Sequence, residues 1–471
     1  MAALLMLSAC AVGPNYHDPK PLAAPAVTLS EAEHLPAVTS HEPQGDWWRL
    51  FDSLALDHLV EKALTYNSDV RIASANLKRA RALLHGAGAA RLPITDVSAN
   101  VIRGRTAPNQ GGTGETADFY SVGFDASYEV DLFGRVGRSI EAARGDFAAA
   151  QADLESARVS IAAETARTYA SACGFGLQAN VARTTAKLQQ QTLDLTRRLF
   201  SGGSISQREV DQATVLVEQA NAQSVTFEAE HRAALYALAV LVGDSPSNLD
   251  PAASSCRTVP SIMRPIPIGD GRGLLARRPD VRSAERALAA DTARIGVATA
   301  ALFPSITLLG SINLGAGDVG DIGKRAGFNW SAGPLISWNF PFSGAARARV
   351  RESRAIADGS LATFDKAVLT ALQETQQALA RLAGALDRES ALQRARDAAD
   401  HAAFLSGKRF NYGADNFLDL LDAQRTLATA NAATAQAESD RAEAQIALFK
   451  AVGGGWAEAP DPKRPALFTQ P

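Results

Sequence analysis

One stretch of the chain, 410–427, places acidic, basic and apolar side chains at helical spacing, and it reads FNYGADNFLDLLDAQRTL. Its candidate functional residues are Leu418, Asp419, Asp422 and Arg425. Leu418 and Asp422 are one helical turn apart and share a helix face. If copies of this helix met around an axis, their carboxylates would form a ring that favours cations, and their leucines an apolar constriction. Two simpler interpretations stay open, a solvated helix face for both aspartates and a coiled-coil core for Leu418.

No pattern in the sequence indicates catalysis. The seven histidines are scattered, and HExxH, GxSxG and CxxC motifs are absent. The segment 269–273 resembles a phosphate loop only superficially, because no Lys-Ser/Thr follows it. A net charge of −3 provides no general basic field for nucleic acid. We therefore expect no enzyme, no cofactor and no nucleic-acid partner.

The glycine turn inside this stretch has an earlier counterpart at 200–217, FSGGSISQREVDQATVLV, 210 positions before it. The predicted hairpin tips carry Gly202 and Gly203 in the first copy and Gly413 and Asp415 in the second. The first copy has Arg208, Gln212 and Val215 where the second has Leu418, Asp422 and Arg425. Only the second tip therefore combines an apolar plug with an acidic ring.

The correspondence extends over most of the chain, which indicates an internal repeat. Arg278-Pro279-Asp280 corresponds in position to Ser68-Asp69, and Phe303-Pro304 corresponds to Leu92-Pro93. Both correspondences have an offset of 211 positions. The predicted organisation is as follows: a signal or lipobox remnant (1–10), an extended segment (11–46), a first repeat (47–243), a linker (244–273), a second repeat (274–455) and a tail (456–471).

Each repeat contains a predicted β-hairpin, at about 93–132 and about 304–340. From Tyr120 onward apolar and polar residues alternate strictly, which is typical of a strand with two different faces. Four aromatic residues lie on the apolar face in two pairs with a spacing of eight: Tyr120, Tyr128, Trp330 and Trp338. Eight steps of about 3.3 Å on a tilted strand span roughly 20 Å, close to the apolar band of a membrane barrel. The alternative is an ordinary sandwich core.

Long helices follow each hairpin. No proline occurs between Gly134 and Pro246 or between 342 and 459, and about sixty-five residues of helix would span roughly 100 Å. The glycine turns at 202–203 and 413 fold these stretches into long helical hairpins. Gly174 and Gly176 predict an interruption in the first long helix. No run of about eighteen apolar residues occurs, so the sequence predicts no transmembrane helix.

Four strands cannot form a closed membrane sheet alone, since a bilayer does not tolerate unpaired strand edges. Two copies would give a barrel of about eight strands filled by side chains, and three a barrel of about twelve with a lumen. We therefore predict a mostly α fold with a transmembrane β part. In it, a homotrimer would build a twelve-stranded barrel and a helical barrel.

Two further features concern the chain outside the repeats and the cysteines. Leu7-Ser8-Ala9-Cys10 resembles a bacterial lipobox, which predicts a covalent lipid on Cys10, although small residues before a cysteine also occur by chance. The proline-rich segment after it should stay extended, as a tether or a wrap. The cluster Trp47-Trp48 with Phe51 favours a packing anchor over a ligand site. For Cys173 and Cys256, two buried thiols are favoured over a disulfide.

The chain resembles the TolC-like outer-membrane efflux proteins, in particular the lipoprotein branch that partners resistance-nodulation-division pumps. The matching features are Cys10-Ala-Val-Gly-Pro14-Asn-Tyr16, Trp48 with Phe51, Arg278-Pro279-Asp280, Phe303-Pro304, Pro341-Phe342-Ser-Gly344 and Gly413-Ala-Asp-Asn-Phe-Leu-Asp-Leu-Leu-Asp422-Ala-Gln-Arg425. The resemblance implies a trimeric exit duct in the bacterial outer membrane, with a helical barrel in the periplasm. The duct would carry a lipid anchor and contact the lipids of the outer membrane. It also implies a periplasmic adaptor protein at the helix tips and an inner-membrane pump.

In that family the positions matching Leu418 and Asp422 constrict the periplasmic end, and neighbouring charges hold it shut. Arg425 is the expected partner of Asp422, within the helix or across subunits. Two alternatives stay open: a duct for type I protein secretion, and a non-channel coiled-coil adaptor. The lipid anchor favours efflux, and four long strands argue against an adaptor.

Overall fold

The fold was established in a computed structural model, which describes residues 11–19, 29–43, 45–105, 114–338, 340, 344–453 and 460–465. Its α-helices are α1 (Leu54–Tyr66), α2 (Ser68–Ala89), α3 (Arg135–Ser201), α4 (Gln207–Leu241), α5 (Pro251–Ser255), α6 (Gly271–Arg277), α7 (Pro279–Ala300), α8 (Ala345–Asn411) and α9 (Phe417–Val452). Its strands are β1 (Val38–Thr39), β2 (Ile94–Arg105), β3 (Thr116–Val130), β4 (Ile266–Pro267), β5 (Ser305–Ala316) and β6 (Phe328–Ser337). Cys10 lies outside the described residues, as do most of the predicted tail and parts of the extended segment.

The chain divides into two compact units. The first comprises Met1–Lys20, Asn76–Gln151 and Ser283–Asp365. The second comprises Pro21–Ala75, Ala152–Arg282 and Lys366–Pro471. Each unit therefore takes segments from both halves of the sequence.

The first unit contains a four-stranded antiparallel sheet in the order β2-β3-β5-β6. The two predicted hairpins are confirmed, and β3 pairs with β5 to join them. With twelve, fifteen, twelve and ten residues, all four strands exceed the five or six residues common in globular sheets.

The two faces of this sheet differ as the alternation predicted. One cross-strand row consists of Val97, Phe124, Ile312 and Trp330, all of them solvent-exposed in the single chain. The adjacent row consists of Asp96, Asp125, Ser311 and Ser331, and the hydroxyl oxygens of its two serines are 2.8 Å apart. Because successive residues point to opposite sides of a sheet, one face is apolar and the other polar.

The strand register also gives the positions of the four aromatic residues that were predicted to belong to a membrane belt, Tyr120, Tyr128, Trp330 and Trp338. Tyr120 on β3 pairs with Val101 on β2 and with Ala316 on β5. Trp330 on β6 pairs with Ile312 on β5, and Ile312 pairs in turn with Phe124 on β3. Tyr120 and Trp330 therefore lie on rows four residues apart along β3. Tyr128 pairs with Leu308, and Trp338 follows the end of β6, where its indole N–H donates to the carbonyl oxygen of Leu302 at 3.1 Å.

The second unit is helical, and its core includes the aromatic cluster near the amino end. Trp47 is fully buried and stacks on Phe449 with a centroid distance of 4.8 Å, and Trp48 and Phe51 are buried beside it. The prediction of a packing anchor is confirmed. The predicted long helices are confirmed as well, since α3 and α8 have 67 residues each and end at the glycine turns.

The helical segment before the first β-hairpin is divided into two helices at Asn67. Asn67 has an extended ψ of 138° and separates α1 from α2, while its side-chain oxygen accepts from the amide of Asp69 at 2.8 Å. In the second half the corresponding break is Arg278, with ψ 117°, before Pro279. A residue before proline avoids the helical region, and an asparagine side chain can replace a helical hydrogen bond by a local one.

The predicted interruption of the first long helix at Gly174 and Gly176 was wrong. Helix α3 continues through both positions. A Cβ atom on Gly176 would lie 2.4 Å from the carbonyl oxygen of Cys256, and one on Gly174 would lie 2.3 Å from the hydroxyl of Ser439. These glycines therefore allow close approach of neighbouring chain segments and do not break the helix.

The prediction that Cys173 and Cys256 are free thiols is corrected as well, because they form a disulfide with a Cα–Cα distance of 4.9 Å. The bridge attaches the linker to α3. The linker itself is folded: it contains α5 and β4, and β4 pairs in parallel with β1. Asp270 caps α6 by accepting from the amide of Gly273, so the glycine-rich segment there is a helix start.

Candidate functional site

The two hairpin tips of the second unit have the same backbone hydrogen bonds. In the first tip the amides of Gly203 and Ser204 donate to the carbonyls of Phe200 and Leu199, both at 2.9 Å. In the second tip the amides of Gly413 and Ala414 donate to Phe410 and Arg409, again at 2.9 Å. This is the Schellman arrangement that ends a helix at a left-handed residue. Gly203 and Gly413 both have φ +73°, a conformation that favours glycine.

The residues that start the returning helices differ between the tips. Ser206 begins α4 with a capping box, in which Glu209 accepts from the amide of Ser206 at 3.0 Å. Asn416 begins α9, where its side-chain oxygen accepts from the amide of Asp419 at 3.0 Å. The hydrogen bonds from Ser206 and Arg208 lower the pKa of Glu209 to about 2. Glu209 is therefore ionised at any physiological pH and belongs to the helix start.

A small apolar core connects the two tips. It consists of Leu193, Val210, Ala213, Val217, Phe417 and Leu421, with Phe410 and Leu216 packed against it. Below it the hydroxyl of Thr192 and the side chain of Gln424 are hydrogen-bonded at 2.9 Å. Leu418 does not join this core, since 46% of its surface is exposed in the single chain.

The charged residues of the second tip form two local ion pairs. Arg425 donates to Asp422 one turn earlier on α9, and the side chains of both are about two-thirds exposed. Arg409 donates from Nε to Asp415 at 2.6 Å, which connects the end of α8 to the loop. Asp419 is exposed on the first turn of α9. The structure therefore brings Leu418, Asp419, Asp422 and Arg425 onto the first turns of one helix.

Sequence reasoning named Asp415 as a tip residue but missed its partner Arg409. The pair could have been predicted because Arg409 and Asp415 lie on either side of the Gly413 turn, where a turn brings opposite charges close together. Tyr412 was also missed; it lies in the tip loop and is 86% exposed. An open groove of 460 Å³ lies further along the helices. Its polar lining includes Gln178, Gln189, Gln219, Gln223, Gln436, Arg388 and Arg425.

Among the described residues, no group of three or more His, Cys, Asp and Glu side chains could hold a metal ion. The helices described here include no segment with the length and hydrophobicity of a membrane span. The second tip presents an exposed leucine with carboxylate and guanidinium groups on the same helical turns.

A model of the outer membrane efflux protein family matches residues 59–244 and 272–454. The chain belongs to this family. The two matched ranges correspond closely to the two halves of the sequence and leave out most of the linker. The family assignment expected from the tip and proline motifs is confirmed.

Relatives of this efflux protein match it over nearly their whole length. The pyoverdine export outer membrane protein OpmQ of Pseudomonas aeruginosa is 32% identical, with 97% of each chain covered. The toluene efflux pump outer membrane protein TtgI of Pseudomonas putida is 30% identical, again with 97% of each chain covered. These relatives are transport proteins of the outer membrane.

Solved structures agree with this assignment. The outer-membrane channel OprN has a TM-score of 0.88 and 36% identity, covering 95% of this chain and 100% of its own. The outer membrane channel MtrE of Neisseria gonorrhoeae, in its open state, has a TM-score of 0.79 and 28% identity, covering 95% of this chain and 98% of its own. The efflux protein therefore has the fold of an outer-membrane channel.

Proposed function

We propose that this efflux protein is the outer-membrane duct of a tripartite efflux system and passively conducts small toxic compounds or drugs out of the cell. The observation that carries the proposal is the four-stranded sheet. Its strands have 10–15 residues, one face is apolar and exposed, and β2 and β6 stand at its edges. Such a sheet is stable in a bilayer only when both its edges are paired.

A homotrimer satisfies this requirement. If β2 of one subunit pairs with β6 of the next, three subunits close a barrel of about twelve strands, wide enough for a lumen. The four-residue offset between the rows of Tyr120 and Trp330 supports this closure. A closed barrel needs tilted strands and therefore a stagger from one repeat to the next. The row with Asp96 and Asp125 then lines the lumen.

The second tip is the proposed gate at the periplasmic end of the duct. In a threefold ring, three copies of Leu418 would narrow the mouth, and three copies of Asp422 would give it negative charge. The pairs Arg425–Asp422 and Arg409–Asp415 would fix the orientation of these side chains at the mouth. Asp419, beside them, would add to the acidic ring. The first tip has no such set, so we expect the second tip to move on opening.

The proposed partners follow from the energetics of a passive duct. No nucleotide-binding or catalytic motif occurs in the sequence, so another protein would supply the energy for transport. The resemblance to the lipoprotein branch of the family supports an inner-membrane pump of the resistance-nodulation-division class. A periplasmic adaptor would dock at the helix tips and join the two. The relatives named for pyoverdine and toluene transport support a small-molecule cargo.

A covalent lipid on Cys10 is the proposed anchor in the outer membrane, with the helical part in the periplasm. The support is the Leu7-Ser8-Ala9-Cys10 sequence and the extended segment that follows it. The protein expressed with a complete export signal should carry a diacylglycerol-type mass addition on its amino-terminal peptide. An unmodified mature peptide would contradict the anchor without touching the duct.

The duct itself is tested by extraction and conduction. The protein should leave outer membranes only with detergent, migrate as a trimer, and conduct ions in planar bilayers. A monomer released by salt or urea alone would contradict the proposal. Co-purification then identifies the adaptor, with the bare tag protein from the same expression strain as the control.

A further inference from the structure

The helices next to the four-stranded sheet follow the order of its strands. Contacts join each helix to the next one: Arg81 over the ring of Phe147 for α2 and α3, Arg294 with Asp146 for α7 and α3, and Ser360 with Asp291 for α8 and α7. The helix order is therefore α2-α3-α7-α8, and it repeats the strand order β2-β3-β5-β6. When subunits close a ring, α8 of one subunit lies beside α2 of the next, as β6 lies beside β2.

The two helices at the edges of this order are basic. The start of α8 carries Arg347, Arg351 and Arg354, and α2 carries Lys78 and Arg81. All five residues are exposed in the single chain. Apart from Arg81, which lies over an aromatic ring, none of them forms an ion pair with a residue that the structure describes.

Acidic residues do not balance these charges. The ranges 70–95 and 322–351 contain no Asp or Glu. The next acids along α8 are Glu352 and Asp358, and in the described part of the chain neither forms an ion pair with an arginine of this helix. An uncompensated cluster of this kind creates a positive potential that attracts anions.

The start of α8 does not use its arginines for helix stability. A helix start favours negative charge, because its first amides have no partner within the helix. The start of α3 follows this rule, since Asp131 accepts from the amides of Val136 and Gly137 at 2.9 and 2.7 Å. The first turn of α8 has no acidic residue and carries Arg347 instead. The arginines therefore have a role other than capping.

The internal repeat indicates which side of α8 they occupy. At the offset of 210, Arg351 corresponds to Glu141 on α3. Glu141 pairs with Arg138, and Arg138 donates from Nη2 to the side chain of Asn15 at 2.6 Å. Glu141 thus lies on the side of α3 that the segment 11–19 covers. A segment that follows the proposed lipid attachment site lies on the outside of a closed ring, so Arg351 faces outward.

The same comparison applies to α2. At the offset of 211, position 74 corresponds to Glu285 on α7. The hydroxyl of Tyr16 donates to Glu285 at 2.9 Å, so Glu285 also lies on the covered side. Lys78 and Arg81 follow position 74 by four and seven residues and share its helix face. The basic residues of α2 therefore face outward as well.

We propose that the outward groove between α8 of one subunit and α2 of the next, the junction groove, binds the phosphate of an anionic phospholipid headgroup from the periplasmic leaflet of the outer membrane. The corresponding groove within a subunit, between α3 and α7, contains Glu141 and Glu285 and is covered by the segment 11–19. In the junction groove Arg351 and Ser74 replace these acids. Its basic side chains come from two subunits and repel one another unless an anion lies between them. The proposal therefore rests on the trimer of the proposed function.

The location of the junction groove favours a lipid as the anion. Trp338 directly follows β6, and tryptophan is enriched where a membrane meets water. Helix α8 begins at Ala345, and from Arg347 to Arg354 it rises about 10 Å. This is close to the thickness of a headgroup layer, roughly 5–8 Å. Basic clusters next to a membrane span attract anionic lipids, and a guanidinium group matches the geometry of phosphate oxygens.

Native mass spectrometry of the detergent-solubilised trimer, titrated with phosphatidylglycerol, tests the junction groove. The wild type should bind this lipid more tightly than phosphatidylcholine, and less tightly as the salt concentration rises. Arg354→Gln should lower the apparent affinity about fivefold. The triple variant Arg347→Gln/Arg351→Gln/Arg354→Gln should lower it at least about tenfold. An excess of inorganic phosphate should leave the lipid bound, and displacement would contradict a lipid site.

Two control variants remove the same charge elsewhere. Arg144 is exposed on α3 at the position that corresponds to Arg354, but it belongs to the groove within the subunit. Arg349 is exposed on α8 and lies two residues from Arg351, on another side of the helix. Arg144→Gln and Arg349→Gln should both bind phosphatidylglycerol as the wild type does.

Equal affinity of the wild type and the triple variant, or equal losses in the controls, would overturn the proposal. A changed ion selectivity of the triple variant in planar bilayers, with unchanged lipid binding, would place the arginines on the lumen and overturn it too. If the triple variant does not form a trimer, Arg354→Gln against Arg144→Gln decides. A monomeric wild type contradicts duct and site together, whereas a conducting trimer without preference for phosphatidylglycerol contradicts the site alone.

Discussion

Arg278 donates a hydrogen bond from Nη1 to the backbone carbonyl oxygen of Ala451, 3.0 Å away. In the first half Asn67 donates in the same way to the carbonyl oxygen of Leu241, also at 3.0 Å. Each donor lies at the break between two helices, and each acceptor lies in the last turn of a returning helix. The last carbonyls of a helix lack intrahelical partners, so in each half a break residue caps the end of a long hairpin.

We expect Arg278→Ala to destabilise the helical unit. The side chain of Arg278 is 9% exposed and also binds Asp280 and Glu374. Its removal takes one donor from two partly exposed carboxylates and from a carbonyl that keeps only Thr375, which costs about 2 kcal/mol because water screens the exposed partners. Denaturant unfolding followed by circular dichroism measures the loss. The control is Arg167→Ala, whose exposed partner Glu164 lies one turn away; the change there should stay below about 1 kcal/mol. Equal effects would contradict the capping role.

The same residue predicts a dependence of stability on pH. Burial alone would raise the pKa of Asp280, but the hydrogen bond and charge of Arg278 outweigh it and lower the pKa. A carboxyl with a lowered folded-state pKa stabilises the fold above its unfolded value, about 3.9, and loses this contribution as pH falls through the folded value. The wild type should therefore lose stability below about pH 4, and Arg278→Ala should lose less over the same range. Parallel pH curves for the two proteins would contradict this.

At the second tip we expect Leu418→Ala combined with Asp422→Ala to raise single-channel conductance several-fold, because the variant lacks both the apolar plug and the acidic ring. The matched control is Arg208→Ala with Gln212→Ala, at the corresponding positions of the first tip. Its conductance should stay near that of the wild type. Unchanged conductance in the Leu418/Asp422 variant would refute the gate.

Adjacent residues on β5 test the two faces of the sheet. Ile312→Arg places a charge on the apolar face, which costs about 2–4 kcal/mol near the middle of a bilayer, so the yield of trimer in the outer membrane should fall. Ser311→Arg places the same charge on the polar face, so the trimer should form and its cation conductance should drop. Gel migration of unheated samples and bilayer recordings measure the two effects. The reverse pattern would mean that the faces are assigned wrongly.

The disulfide should contribute measurably to stability. Cys173 and Cys256 are 83 positions apart, and a bridge that closes a loop of this kind typically stabilises by about 2–4 kcal/mol. Cys173→Ser with Cys256→Ser should therefore unfold at lower denaturant concentration than the wild type. Reductant should lower the midpoint of the wild type and leave the double variant unchanged. Peptide mapping without reductant checks the pairing, and free thiols at both positions would contradict it.

Much of this protein could be predicted from local patterns. Alternation along 120–132 predicted a two-faced strand, and proline-free stretches with glycine turns at 203 and 413 predicted the long hairpins. These features depend on residues close together in sequence, where the periods of strand and helix are directly visible. The acidic and apolar set on α9 was visible for the same reason.

Contacts between residues far apart in the chain could be seen only in the tertiary structure. Whether Cys173 meets Cys256, and whether Gly174 and Gly176 break a helix or admit a neighbour, depends on which segment packs against α3. Asn67 and Arg278 end helices partly because carbonyls far along the chain accept their hydrogen bonds. The close approach of Gly13 to Gly296 likewise could not be predicted from the residues around either glycine. Local sequence patterns thus predicted the elements and their repeat. The register, the disulfide and the contact between Gly13 and Gly296 became known only from the structure, because each of them joins residues far apart in the chain.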